Sequence, residues 1–330
     1  MILVVYSHIL LFSYHLKSDV FTYNDIFVKF RMPLFFFISG WVLYKADRIW
    51  NIATLKSFLS NKFRVQIVST AVFFLLFCFV FDYSLLKGLM NFNKLGYWFT
   101  LDLFSFYCIY SLSQFLVPLR FRENNAIGDI VVVCIMIIVM VLSYSYYVFS
   151  STVYGSFFYG ILSIAKWKYY VFFILGVFVK KYFNSFVSLT NNKYFIGFII
   201  VTFVVLLCLE NKLDSPIPEK VLFVAYGLLG VIIVFTFFRK YEESFIQNKR
   251  LGYALQYIGR RTLDIYLIHY FIVPRNLNDV GSFFGLNCNP SLEFFVTLVL
   301  SLLVILICLV ISSLIRLSPA LSYYLLGVKK

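Results

Sequence analysis

The chain has 330 residues, of which 62% are hydrophobic, 21% aromatic and only 13% charged, and its net charge is +14. A soluble domain carries roughly 25% charged residues, so this composition excludes a water-soluble globular protein and implies an integral membrane protein. The basic excess is no argument for nucleic acid, because Lys and Arg concentrate in the cytoplasmic loops of membrane proteins.

A helix needs about 20 apolar residues to cross a bilayer. Ten runs approach that length: 1–16, 27–44, 65–82, 97–118, 128–149, 164–179, 194–210, 220–238, 262–274 and 292–315. The first and ninth are short and the sixth is marginal. Basic residues test the alternation of the loops. Starting with the loop after the second run, alternate loops hold 19 of the 29 basic residues, among them Lys45, Lys56, Arg120, Arg122, Lys329 and Lys330. The opposite loops hold 10, including Lys17, Lys29, Arg31 and Lys212. This bias puts both termini in the cytoplasm. The expected fold is all-α: one polytopic transmembrane helix bundle over residues 1–330, with about ten spans and cytoplasmic N and C termini. "NKLDSPIPEK" (211–220) reads as a Pro-containing outer turn. "RKYEESFIQNKRLGYALQYIGRR" (239–261) reads as a polar cytoplasmic segment with an interfacial helix. The first run has no positive region before it and no small-residue cleavage site after it, so it reads as a span rather than a signal peptide.

Ionisable groups inside a membrane cost a few kcal/mol each unless paired or wet, so they are functional candidates. His8, Asp102, Asp264 and His269 qualify. His8 reads either as a histidine satisfied by a neighbouring helix or as a general base, since imidazole titrates near neutrality. His269 reads either as an anchor at the outer membrane surface or as a site residue. It follows Asp264 by five positions, about 140° around a helix, so the two are not expected to pair directly. Tyr266 and His269 share a face. His15 reads as interfacial. Ser39, in "FFFISGW", lacks a nucleophile elbow and reads as a close-packing Ser-Gly pair. In "LKSFLSNKFRVQIV", Lys56, Lys62 and Arg64 are either ordinary cytoplasmic flanks or anion ligands. Five cysteines lie in apolar runs and Cys288 stands in a loop; no disulfide or metal-ligand spacing appears, and no metal is expected.

Several stretches together resemble a known family. "ILVVYSH", "FRMPLFFFISGWVL", "LSNKFRVQIVST", "GYWFTLDLFSFY", "YVFFILGVFVKK" and "LQYIGRRTLDIYLIHYFIV" are similar, in order and spacing, to elements of the integral-membrane acyltransferase family three. These are bacterial enzymes that O-acylate surface carbohydrates. The resemblance implies a multi-pass protein of the bacterial inner membrane. It implies acyl transfer, acetyl by default, from cytoplasmic acyl-CoA to a hydroxyl of a cell-surface or lipid-linked carbohydrate. No bound cofactor is implied; acyl-CoA is the donor substrate, and membrane lipid and the carbohydrate acceptor are the other partners, with no nucleic acid. His8 would be the general base, with His269 supporting it or orienting the acceptor. Lys62 and Arg64 would bind the donor, and Arg31, Trp98 and Tyr266 would contact or support the acceptor. The family pattern also has an Arg eleven positions before the His, which falls upstream of Met1 and leads to the expectation of a longer N-terminus. The competing class is a transporter or flippase of lipid-linked sugars, although the two halves show no paired Gly/Pro-interrupted helices. A polysaccharide polymerase would need larger outer loops.

Overall fold

The computed structural model describes residues 1–16, 22–91, 93–116, 125–149, 160–210, 218–287 and 289–328. Most of the outer turn (211–217), Cys288, Lys17, Arg120, Arg122, Lys212, Lys329 and Lys330 lie outside the described residues. The structure is 87% helix, with no strand among the described residues. Every apolar run of the sequence contains helix. The main helices are α1 (Ile2–Tyr14), α2 (Asn24–Leu43), α3 (Ile52–Val80), α4 (Trp98–Leu116), α5 (Asn125–Phe149), α6 (Tyr170–Lys181), α7 (Lys193–Glu210) and α8 (Glu219–Lys240). After them come α9 (Lys249–Arg260), α10 (Thr262–Ile272), α11 (Pro290–Ile315) and α12 (Pro319–Leu326). Among the described residues, seven helices are long and apolar enough to cross a membrane: α2, α3, α5, α6 with the turn before it, α7, α8 and α11. α1 and α10 are shorter apolar helices.

The chain forms two compact units. The first comprises 1–41 and 178–311, the second 42–177 and 312–330. In the first unit α7 and α8 pack through Phe203, Leu222 and Tyr226. Lys29 of α2 is ion-paired with Glu210 at 2.5 Å, and Tyr226 donates to the same carboxylate at 2.7 Å. Lys29 and Arg31 thus sit inside α2, not in a loop before it as the charge count assumed. α10 buries every residue from Asp264 to Tyr270. A helix covered on every side by protein belongs to the core rather than to the lipid-facing surface. In the second unit α4 packs on α3, with Phe63 against Phe104 and a buried Thr70–Thr100 hydroxyl pair at 2.8 Å. α12 packs on the same stretch of α3: Gly327, at φ 64°, lies so close to Val65 that an added methyl would sit 2.8 Å from its Cα. Glycine alone adopts that conformation freely.

The expected interfacial segment does form a helix, α9, begun by the Asn248 side chain accepting from the Leu251 amide at 3.2 Å. Only Gly252 of it is fully buried, and Leu251 and Tyr253 stand exposed.

Candidate active site

The first unit brings together His8 and His269, which are 261 positions apart. His8 Nδ1 lies 2.8 Å from His269 Nε2, and the two rings are parallel, with centroids 5.0 Å apart. His269 Nδ1 lies 2.9 Å from the Ile265 carbonyl oxygen one turn earlier. His269 is fully buried, so it is not a surface anchor. His8 is partly exposed. Phe12 and Tyr270 flank His8 at 5.5 and 5.0 Å between centroids.

This chain of contacts fixes the tautomers. A carbonyl oxygen only accepts, so His269 Nδ1 carries hydrogen. In the neutral ring Nε2 of His269 is then an acceptor, and His8 Nδ1 must donate to it. What remains is Nε2 of His8, an unprotonated nitrogen on the partly exposed side chain.

Local structure holds His8 in place from both sides. Tyr6 donates to both oxygens of Glu293 at 3.1 and 2.9 Å, and Thr297 donates to Glu293 at 2.8 Å; all three side chains are buried. Ser7 hydrogen-bonds Asn24 of α2. Beyond His8 the helix winds in π form over Leu10–Tyr14 and stops at His15, in left-handed conformation (φ 47°). Ser13 there donates to the Pro274 carbonyl and its own carbonyl accepts from the Leu277 amide at 3.2 Å. π-turns of this kind are frequent at functional sites.

Of the other sequence-selected residues in this unit, Tyr266 lies beside His269 with centroids 6.1 Å apart. Arg31 reaches the Leu3 carbonyl at 3.4 Å, and its charge acts on both His8 and Tyr270. Asp264 is buried at the start of α10, while His269 bonds His8 and Ile265. Ser39 donates to Phe35 O at 2.8 Å, which engages its hydroxyl in the helix. Among the described residues no group of three or more His, Cys, Asp or Glu side chains could hold a metal.

Lys62, Arg64 and Trp98 belong to the second unit. Lys62 and Arg64 engage different surroundings. The Lys62 ammonium lies over the Tyr107 ring at 4.3 Å and near Phe58 at 5.7 Å. The Arg64 guanidinium lies over Tyr323 at 4.4 Å and donates to Asn61 at 3.1 Å. Residues two apart on a helix face nearly opposite ways. The cation that does meet Lys62 is Arg48, which lies 5.3 Å from the same Phe58 ring and 5.2 Å from the ring of buried Trp50. Trp98 stacks on Tyr169 at 5.6 Å and carries the Lys166 ammonium over its ring at 4.9 Å.

The sequence analysis missed Glu293, Tyr270 and Arg48. Glu293 was legible as an acid one residue into the last apolar run. Tyr270 was legible only as the neighbour of His269. Nothing in the sequence links Arg48 with Lys62.

The fold describes a multi-pass, all-helical membrane protein that brings two histidines within hydrogen-bond distance of each other. The family model described as an acyltransferase domain, acyltransferase family 3, matches residues 1–312. The chain belongs to that family, and it is a membrane acyltransferase. Neither the curated proteins nor the solved structures give a match to it.

Proposed function

We propose that the protein is an O-acyltransferase of the bacterial inner membrane, with about ten spans and both termini cytoplasmic. It moves an acyl group, acetyl by default, from cytoplasmic acyl-CoA to a hydroxyl of a cell-surface or lipid-linked carbohydrate. The observation that carries this reading is the hydrogen-bonded chain from His8 through His269 to the Ile265 carbonyl. His8 Nε2 takes the proton of the acceptor hydroxyl as its oxygen attacks the thioester carbonyl. The tetrahedral intermediate collapses, the carbon–sulfur bond breaks, and the departing thiolate takes the proton back from His8. During the intervening step His8 is an imidazolium. Its Nδ1–H points at the Nε2 lone pair of His269, which supports that charge. Arg31 and Tyr266 line this centre as acceptor contacts or supports, and Trp98 serves the acceptor in the second unit.

The donor's phosphates need cations. Lys62 and Arg64 are the sequence-selected candidates, and the neighbourhood of Lys62 favours Arg48 as its partner, because both converge on Phe58. The family match favours group transfer over the transport reading.

The test is His8→Ala in the full chain, assayed by free-thiol release from acetyl-CoA and by acyl content of the surface glycan. A loss of about 10²–10⁴-fold is expected of a general base. Unchanged thiol release and acyl content would end this reading.

A further inference from the structure

The register of α9 makes it amphipathic. Leu251, Ala254, Leu255 and Ile258 recur at the three- and four-residue spacings that gather side chains on one helix face. Leu251 and Ala254 stand exposed, and Leu255 and Ile258 are only half-buried. Down the opposite side, Lys249, Tyr253, Gln256 and Arg260 follow one another at four, three and four positions. Arg250, Ala254, Tyr257 and Arg261 do the same along one edge of the apolar stripe. The two tyrosine rings stack with centroids 6.0 Å apart, and the Arg261 guanidinium lies over Tyr257 at 4.5 Å. Lys249, Arg250 and Arg260 are exposed, as is Lys240 at the end of α8. The helix itself carries no acid. Glu242 and Glu243 open the short helix before it (Glu242–Gln247), and Asp264 follows it, buried in α10.

α9 is held at both ends. The Asn248 side chain caps its start, and Gly252 lies so near the Phe245 carbonyl that a methyl has no room there. At its other end the chain turns at Arg261 and continues as α10, with the Ile265 amide donating to the Arg261 carbonyl at 3.0 Å. The uncovered stripe is thus presented where α8 finishes and α10 begins. The two faces together select the partner. Nucleic acid would take the cations and leave the stripe in water. A zwitterionic bilayer would take the stripe and offer the cations no net field. An anionic bilayer surface satisfies both, since apolar side chains reach the acyl boundary, tyrosines lie at headgroup level and cations meet phosphates. We propose that α9 docks on anionic phospholipids of the adjoining leaflet. Leu251, Leu255 and Ile258 enter the acyl boundary, Arg250 and Arg261 meet lipid phosphates beside the stripe, and Lys249 and Arg260 are drawn by the negative surface potential. Each such cation favours anionic over zwitterionic lipid by about fivefold.

The experiment reads lipid contact and not acyl transfer, so its outcome is independent of the reaction proposed above. The full chain has its six cysteines replaced by Ala and carries Ala254→Cys labelled with nitrobenzoxadiazole. It is placed in phosphatidylcholine nanodiscs with a minor share of spin-labelled lipid, which quenches the label on contact. Spin-labelled phosphatidylglycerol should quench about fivefold or more better than the same amount of spin-labelled phosphatidylcholine. Lys249→Gln, Arg250→Gln, Arg260→Gln and Arg261→Gln together should bring the two lipids level. Lys220→Gln, at the far end of α8, should leave the preference in place. Inorganic phosphate should compete no better than chloride at equal ionic strength. The inference falls if the two lipids quench the parent alike, or if neither does, in which case the stripe faces a protein or water. It also falls if the four-fold variant keeps the preference, or if inorganic phosphate abolishes it, which would mark a free-phosphate site. The comparison of the two lipids on the parent decides the matter even where the four-fold variant fails to insert.

Discussion

At His8 the decisive question is which ring nitrogen is free, and the answer comes from a residue on another helix. His269 is held by the Ile265 carbonyl, so it can only accept from His8, and His8 is left with a bare Nε2. Removing His269 lets the His8 ring turn and populate the wrong tautomer. His269→Ala should therefore lower kcat for acyl transfer by about 10²-fold or more, within the range for acid–base groups, with KM for acetyl-CoA unchanged. His269→Gln, whose amide oxygen can still accept, should recover part of the loss. Equal KM and kcat effects in both variants would mean that His269 only fills space. Lys94 gives a second prediction at this scale. Burial pushes its ammonium down to about 8, with the Asp102 carboxylate opposing that shift. An unfolded lysine keeps its proton to about 10.4. Between these values the unfolded chain binds the extra proton, so stability rises with pH across that window and is flat below it. The melting temperature should climb from pH 8 to pH 10, and the Lys94→Met variant should lose that climb.

α1 illustrates what an element adds to a residue. Its apolar sequence gives a helix, but its rotation is set by contacts that the sequence does not announce. Tyr6 to Glu293, Ser7 to Asn24 and Ser13 to Pro274 tie two of its turns to three other segments. A hydrogen bond to a charged group contributes about 1.5–3 kcal/mol. Tyr6→Phe should cost about that much, and a double-mutant cycle with Glu293→Gln should show coupling above about 0.5 kcal/mol; additive losses would argue against the tie. Gly281 makes the same point at the other end of α1. An added methyl there would lie 2.8 Å from the Tyr14 carbonyl carbon. Gly281→Ala should destabilise by about 1–3 kcal/mol, as overpacking does, and should reduce turnover by shifting the helix that carries His8. The ten helical runs were legible because length and hydropathy are local properties. The meeting of His8 with His269 was not legible from the residues themselves, only suggested by the family resemblance, since it depends on how two short helices pack. The burial of α10 was equally hidden, because a mostly apolar run reads the same whether protein or lipid surrounds it. The family resemblance pairs Lys62 with Arg64, yet a spacing of two separates side chains around a helix.

Across the whole molecule, the exposed faces carry the membrane argument. α7 buries only Ile199 and Phe203, while Phe198, Val201, Val204 and Val205 stand exposed. α11 likewise exposes Phe295, Leu306 and Val310. Soluble monomers rarely expose contiguous apolar patches larger than a few hundred Å², so these faces are built for hydrocarbon. The polar groups obey the complementary rule: Glu293, Asp264 and His269 are buried inside the protein. Val201 tests the arrangement through the sign of one substitution. It lies at the middle of α7 and is 59% exposed. On a water-facing helix, Val→Lys at an exposed position is close to neutral, because lysine is a good helix former. At the centre of a lipid-facing span the same change costs about 2.5–3.5 kcal/mol of insertion free energy. Val201→Lys should therefore lower the fraction of α7 inserted in a translocation assay, and Lys193→Ala, at the helix end, should leave it unchanged. Full insertion of the Val201→Lys helix would show that α7 does not face lipid, and the count of spans would have to fall with it.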